Sequence, residues 1–304
     1  LIVAGTYRSG TTSLYTYLSG HPQVQPSSIK EPAFFFSERW AETPPVYPPG
    51  HEVEAYLSLF KRKPQGNTWL EATPNYLHDP GCAERIRAAL PQAKIVVVLR
   101  DPVSRLVSWY KHSLFQGRLG ASSNFAEWIG GQLADPRPEE TRPYMQRAVV
   151  HGRYSRYLEE YYRVFGRANV RVVWFDDLEA NPRQVMQDIC GFAGIDPAYF
   201  DDYRFKAQNQ SMQFNRRWLY NAYMRVCRLL VAASAPLPRL QFQVKKVVYS
   251  IAPAFLRWVT RPADEVDMPE ATRLALVEYY RQDIEPLRQV LGTKIPWAGA
   301  YQPR

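Results

Sequence analysis

Two short stretches of this sequence combine residue types and spacings that could do chemistry on an anion. The first is Gly5-Thr6-Tyr7-Arg8-Ser9-Gly10-Thr11-Thr12-Ser13, which follows an apolar run and precedes a helical pattern. A turn of that kind presents unpaired backbone N–H groups and the positive end of a helix dipole to an anion. Its spacing copies the nucleotide-triphosphate loop G-x-x-x-x-G-K-[ST], with Thr11 in the place of the lysine. That lysine offsets charge on the terminal phosphates of a magnesium-bound triphosphate. Without it the loop better serves a less charged group that needs no metal, and Arg8 lies inside the turn to neutralise it. The second stretch sets Arg100 at the end of an apolar run and Ser108 eight residues later. An arginine gives a phosphate forked hydrogen bonds that no other side chain duplicates.

The elements that would position these groups are legible around them. Residues 1–5 are apolar and read as a buried strand. Residues 11–19 have helical spacing, with Leu14 and Leu18 on one face, and His21-Pro22 ends that helix. Residues 94–100 and 170–175 are nearly continuous apolar runs, as expected of parallel strands covered on both faces. Helical patterns occupy 103–116, after the start signal Asp101-Pro102, and 154–165. Alternating strands and helices predict an α/β fold with a central parallel sheet flanked by helices. Arg100 then lies at the carboxyl end of a parallel strand, where open α/β sheets bind ligands, and Ser108 about two turns into the next helix. Proline-rich stretches at 43–50 and 135–143 read as surface loops. We expect one domain over 1–304, with a nucleotide-binding α/β core over 1–210 and a helical, basic extension over 211–304 that closes with a helix near 269–291.

Arg8-Ser9-Gly10-Thr11-Thr12-Ser13-Leu14 resembles the 5′-phosphosulfate-binding motif of sulfotransferases that use 3′-phosphoadenosine 5′-phosphosulfate, although many members carry lysine where this chain has Arg8. The resemblance implies a P-loop-like fold and a 5′-phosphosulfate held by Arg8, Ser9, Gly10, Thr11, Thr12 and Ser13. The run Arg100-Asp101-Pro102-Val103-Ser104-Arg105-Leu106-Val107-Ser108 is similar to the family's 3′-phosphate motif and implies that role for Arg100 and Ser108. Gly152–Leu158 and Val172–Leu178 look like its later helix–strand unit, so the similarity runs from Leu1 to about Asn215. Lys30-Glu31-Pro32-Ala33-Phe34-Phe35 resembles a segment of heparan-type glycan sulfotransferases in which a Glu before aromatic residues is the catalytic base. Glu31 is the base implied by that resemblance, with Lys30 beside it to contact sulfate or tune the acid. Leu70-Glu71-Ala72-Thr73-Pro74-Asn75-Tyr76 is similar to the glycan enzymes' Glu-Lys-[Ser/Thr]-Pro-x-Tyr, with Ala72 in place of their lysine. The implied reaction is sulfuryl transfer to a hydroxyl or amine of a carbohydrate or glycoconjugate. A lipid or small-molecule natural product is the second acceptor class. A nucleotide-binding or membrane-surface module without catalysis is the reading of another kind.

Composition bounds the alternatives. With 46% hydrophobic and 14% aromatic residues the chain buries a sizeable core, which excludes disorder. No apolar run reaches the ~18 residues that cross a bilayer. The chain opens on Leu1 rather than Met, which leaves a leader or anchor ahead of it open. Cys82, Cys190 and Cys227 are sparse and odd in number, which predicts buried free thiols, and no metal site is expected. His21, His51, His78, His112 and His151 are read as surface or packing residues. The formal charge of +9 is concentrated: residues 203–263 hold 11 Lys and Arg and no Asp or Glu. The block 204–261, interleaved with aromatics, predicts an anionic partner, either an acidic sugar or an anionic membrane surface, and no nucleic acid. Arg216 and Arg217 within it could also close over a 3′-phosphate. Arginines outnumber lysines 29 to 9, as in a GC-rich bacterial proteome, and a bacterial source would make the protein cytoplasmic.

Overall fold

The apolar runs at residues 1–5 and 94–100 become inner strands of a parallel sheet. The run at 170–175 becomes its edge strand, with Arg171 exposed, and is not covered on both faces as expected. In chain order the elements are β1 (Ile2–Gly5), α1 (Thr11–Ser19), β2 (Val24–Pro26), α2 (Val53–Leu57), β3 (Thr68–Ala72), α3 (Cys82–Ala89), β4 (Ile95–Leu99), α4 (Pro102–Gln116), α5 (Phe125–Leu133), α6 (Ser155–Phe165), β5 (Val170–Trp174), α7 (Phe175–Ala180), α8 (Pro182–Ala193), β6 (Met212–Phe214), α9 (Arg217–Ala233), β7 (Thr260–Pro262) and α10 (Glu270–Leu291). The computed structural model describes residues 1–37, 53–60, 66–120, 122–142, 144–206, 212–233, 255 and 258–302. The proline-rich stretch 43–50, His51 and the basic residues Arg239, Lys245, Lys246 and Arg257 lie outside the described residues. Two compact units emerge, one of Leu1–Trp109, Asn124–Asn209 and Met268–Arg304, the other of Tyr110–Ser123 and Gln210–Asp267.

In the first unit five strands run parallel in the order β2-β3-β1-β4-β5. Every residue of β1 and β4 is buried, which is why both read as unbroken apolar runs. The chain winds to one side of β1 through β2 and β3, then to the other through β4 and β5. That reversal opens a crevice beyond the carboxyl ends of β1 and β4. Val3, Leu14, Leu18, Val96, Val98, Met186 and Ile189 join the sheet to α1 and α8 in one core. Helix α4 starts where Asp101 Oδ1 accepts from the Ser104 N–H at 2.7 Å and Pro102 takes the first helical position. On α6, Tyr157, Leu158, Tyr161 and Phe165 form the buried face.

The last helix returns to this unit instead of extending the basic segment. Asp283 on α10 accepts from the Ser155 N–H at 3.3 Å and from the Ser155 hydroxyl, and Tyr280 donates to the Val149 carbonyl at 2.7 Å. Gly152 makes room for that tyrosine, since a β-carbon there would lie 2.6 Å from its ring. Beyond the helix, the Tyr301 hydroxyl donates to Asp101 Oδ2 at 2.6 Å. The expected extension over 211–304 is therefore divided. Its first part, with Tyr110–Ser123, makes the second unit, where β6 and β7 pair antiparallel, Phe115 stacks on Phe214 at 4.6 Å and Arg217 donates to the Leu114 carbonyl at 2.8 Å.

All three cysteines are buried and free. His21, His78 and His151 are buried packing residues. The last two stack 4.1 Å apart at 7°, with His78 Nε2 on the His151 carbonyl at 3.1 Å. Burial holds both well below the ordinary histidine range; Arg105 adds to this at His78, and His78 with Arg105 adds to it at His151. The unfolded chain takes up these two protons near pH 6.5 while the folded one does not, so stability is complete above that pH and is lost as pH falls below it. We expect the melting temperature to drop between about pH 7 and about pH 5. Buried Glu71, held high, contributes with the opposite sign, so the comparison is with His151→Gln, whose slope should be shallower. Equal slopes would remove the histidine pair as the cause.

Candidate functional site

The turn between β1 and α1 is shaped by small residues and closed by hydroxyls. A β-carbon at Gly5 would lie 2.8 Å from the Leu77 Cβ, so β1 ends against that side chain only as glycine. Thr6 donates to the Val98 carbonyl from its N–H at 2.9 Å and its hydroxyl at 3.1 Å, and shares a 2.6 Å hydrogen bond with the Ser9 hydroxyl. Arg8 sits at φ 69 and Gly10 at φ 86, both in the left-handed region. Holding a non-glycine residue there costs about 1–3 kcal/mol, and such residues persist where the surroundings impose them. A β-carbon at position 10 would lie 3.0 Å from the Phe175 ring and 3.1 Å from Leu178. Helix α1 begins with no side-chain cap and no acidic residue in its first turn, so its leading N–H groups face the crevice uncompensated.

Three residues flagged in two separate motifs meet at this turn. Arg8 Nε donates to Ser108 Oγ at 3.2 Å, and Arg100 Nη1 donates to the Arg8 carbonyl at 3.2 Å. The Arg100 guanidinium lies 4.2 Å over the Phe175 ring, and Tyr154 donates to the Arg100 carbonyl at 2.8 Å. Phe175 thus packs both Gly10 and Arg100 and ties the two motifs together. Burial lowers the Arg8 pKa, with Tyr7 opposing, Arg100 lowering it further and Glu31 opposing. Burial also lowers that of Arg100, opposed chiefly by Glu179 and Tyr154. Among the described residues neither guanidinium has a carboxylate within ion-pair distance. Two half-buried cations beside a helix N-terminus fit a phosphorylated or sulfated group. Among the described residues no group of three or more His, Cys, Asp and Glu could hold a metal ion.

The remaining flagged residues take distinct places. Thr11 is buried, Thr12 and Ser13 are half-buried in the first turn of α1, and the Ser9 hydroxyl turns inward to Thr6. Lys30 and Glu31 form an ion pair, Glu31 exposed and at φ 61. Among the described residues Glu31 makes no hydrogen bond or ion pair with Arg8, and its charge is the weakest of those that act on the Arg8 pKa. The segment after it is pinned from below. The Ala33 N–H meets Thr73 Oγ1 at 3.5 Å, the Phe35 N–H donates to the Tyr76 hydroxyl at 3.2 Å, and Ser37 donates twice to Asp79 at 2.9 Å. Thr73 and Tyr56 in turn donate to the buried Glu71 carboxylate at 2.7 Å each. Burial raises the Glu71 pKa against hydrogen bonds from Tyr76, Tyr56 and Thr73. Sequence reasoning missed Phe175, Tyr154, Tyr56 and the role of Thr73. The apolar run into Phe175 and the motif around Glu71 were visible, but no spacing rule brings them together. Arg216 and Arg217 belong to the second unit, where Arg216 lies 5.4 Å over Trp258.

Residues 1–227 match the profile of the sulfotransferase domain family. Over 207 residues the chain is 28% identical to the bifunctional heparan sulfate N-deacetylase/N-sulfotransferase 4 of Mus musculus, covering 65% of this chain and 22% of that protein. Against the corresponding enzyme 2 of Homo sapiens it is 29% identical over 203 residues, 64% of this chain and 22% of the other. The chain thus spans about a fifth of the length of these relatives. In fold it is similar to a sulfotransferase crystal structure from Alicyclobacillus acidocaldarius, with a TM-score of 0.67 at 24% identity over 97% of this chain and 96% of that one.

Gly10→Ala tests the packing of the turn. Left-handed strain and the contact with Phe175 together should cost about 1–3 kcal/mol, a fall of several degrees in melting temperature. Binding of adenosine 3′,5′-bisphosphate, followed by calorimetry, should weaken in parallel. Adding Phe175→Leu should restore part of the melting temperature. A Gly10→Ala protein that melts and binds like wild type would refute this account of the turn.

Proposed function

We propose that the chain, which belongs to the sulfotransferase domain family, takes a sulfuryl group from 3′-phosphoadenosine 5′-phosphosulfate and delivers it to a hydroxyl or amine of a carbohydrate or glycoconjugate, with Glu31 as the base. The observation that carries the site assignment is the meeting of Arg8, Ser108 and Arg100 beyond the carboxyl ends of β1 and β4. Arg8, Gly10, Thr11, Thr12 and Ser13 are assigned to the 5′-phosphosulfate and Arg100 with Ser108 to the 3′-phosphate. The glycine at position 10, which no side chain can replace without striking Phe175, is the fit expected where backbone N–H groups approach a phosphate closely.

Sulfuryl transfer is an in-line displacement in which negative charge grows on the leaving oxygen, so catalysis rests on positioning and on fixed positive charge. Arg8 supplies that charge without reorganising, because its backbone is set by the turn and its Nε is held by Ser108. Glu31 accepts the acceptor's proton. Its partner Lys30 orients the carboxylate or meets the sulfate as it passes. Ala72, fully buried on β3, brings no cation from the side where the glycan enzymes have lysine, and Arg8 and Lys30 supply the positive charge in its place. The carbohydrate acceptor is supported by the heparan sulfate enzymes among the relatives and by the Lys30-Glu31 segment.

Three substitutions separate these roles. Arg8→Ala should lower kcat by ~10²–10³. Glu31→Gln should lower kcat by about 10² or more while leaving the affinity for adenosine 3′,5′-bisphosphate unchanged. Arg100→Ala should instead weaken that affinity about tenfold or more, as calorimetry would read. Wild-type turnover in Arg8→Ala removes the proposed mechanism, and wild-type turnover in Glu31→Gln moves the base elsewhere. A sulfate-transfer screen over glycans, lipids and small alcohols tests the acceptor. Transfer to lipids or small alcohols with none to any glycan would overturn the carbohydrate assignment.

A further inference from the structure

Helix α9 in the second unit is apolar on two opposite faces, and among the described residues only one of them is covered. Its inner face packs within the unit: Tyr220 lies 4.6 Å from the Phe214 ring, Tyr223 stacks on Phe255 at 4.4 Å, and Cys227 is buried. The outer face carries Trp218, Ala222, Val226, Leu229 and Leu230 at steps of three and four. Trp218 is 69% exposed, Leu229 63%, Val226 54% and Leu230 50%. Trp258, 58% exposed, adds a second large aromatic in the same unit. A contiguous exposed apolar stripe of this size on a helix calls for something to cover it.

Charge decides between coverings. Helix α9 carries Arg217, Arg225 and Arg228 and no Asp or Glu, and Arg225 lies exposed beside the apolar stripe. A second copy docked on this face would set α9 and its arginines against their own image, and like charges at an isologous interface repel. An anionic lipid surface accepts both features at once: headgroups meet the arginines, and the Trp and Leu side chains enter the boundary beneath them. No helix among the described residues is long and apolar enough to cross a membrane, so α9 would lie on the surface. We propose that the outer face of α9, through Trp218, Val226, Leu229 and Leu230 with Arg225 at its edge, docks the protein on an anionic membrane surface. This holds whichever acceptor the enzyme uses.

The test is flotation of the full chain with vesicles of phosphatidylcholine alone or mixed with phosphatidylglycerol. Affinity should be about tenfold or more higher on the anionic vesicles and should fall as salt is raised. The double variant Trp218→Ser/Leu229→Ser, which alters only exposed side chains, should lose at least tenfold of that affinity. Arg225→Glu should reduce the preference for phosphatidylglycerol. The rise in melting temperature on adding adenosine 3′,5′-bisphosphate should persist in all variants, which shows that they are folded. Failure of the wild type to float with either vesicle overturns the proposal. So does a double variant that floats like wild type. Light scattering that finds a dimer in wild type and a monomer in the double variant would assign the face to a second copy instead.

Discussion

Two guanidinium groups, Arg8 and Arg100, are held together at the carboxyl end of a parallel sheet, half out of water and without a paired carboxylate among the described residues. Like charges in that position suit an anion between them, and the surrounding structure is organised to keep them there. The first is fixed by a turn whose backbone enters the left-handed region twice within three residues. The second is fixed by Tyr154 on its carbonyl and Phe175 beneath its side chain. Phe175 also fills the space that a side chain at position 10 would need, so the site behaves as one body and not as two loops.

The Glu31 turn rests on a different kind of support. Beneath it lies a carboxylate, Glu71, with no exposure and three hydroxyl donors. Burying such a group is costly unless it is well bonded, and a fully bonded buried network is rigid and specific. Thr73 and Tyr76 each contact Glu71 and also a backbone N–H of residues 33–35. The rigidity of the buried network is thereby passed to an exposed residue that pairs with Lys30. An exposed carboxylate on a stiff mount suits a group that must meet an incoming molecule in a set geometry.

Much of this was legible in the sequence, and what was not has physical causes. Strands β1 and β4 announced themselves because the centre of a parallel sheet is apolar on both faces, and β5, at the edge, through its run of valines. Arg8, Ser108 and Arg100 could be flagged because motif spacing and strand ends are local features. Strand β2, only Val24–Pro26, was too short to register, and β3 carries Glu71 in its middle, which hides it from any hydropathy reading. The burial of Glu71 depends on Tyr56 and Tyr76 arriving from elsewhere in the chain. The fate of the last helix was equally nonlocal. A continuous reading of 211–304 as one extension missed the return to the core, because Asp283 and Tyr280 look like any polar residues until Ser155 and Val149 are placed beside them.

That return changes what counts as the working part of the molecule. The sulfotransferase profile stops at residue 227, yet Tyr301 hydrogen-bonds Asp101, the immediate neighbour of Arg100 and the residue that starts α4. Kinship and self-sufficiency therefore have different borders here. A version trimmed to the recognisable portion would keep every motif and lose the strap behind Arg100.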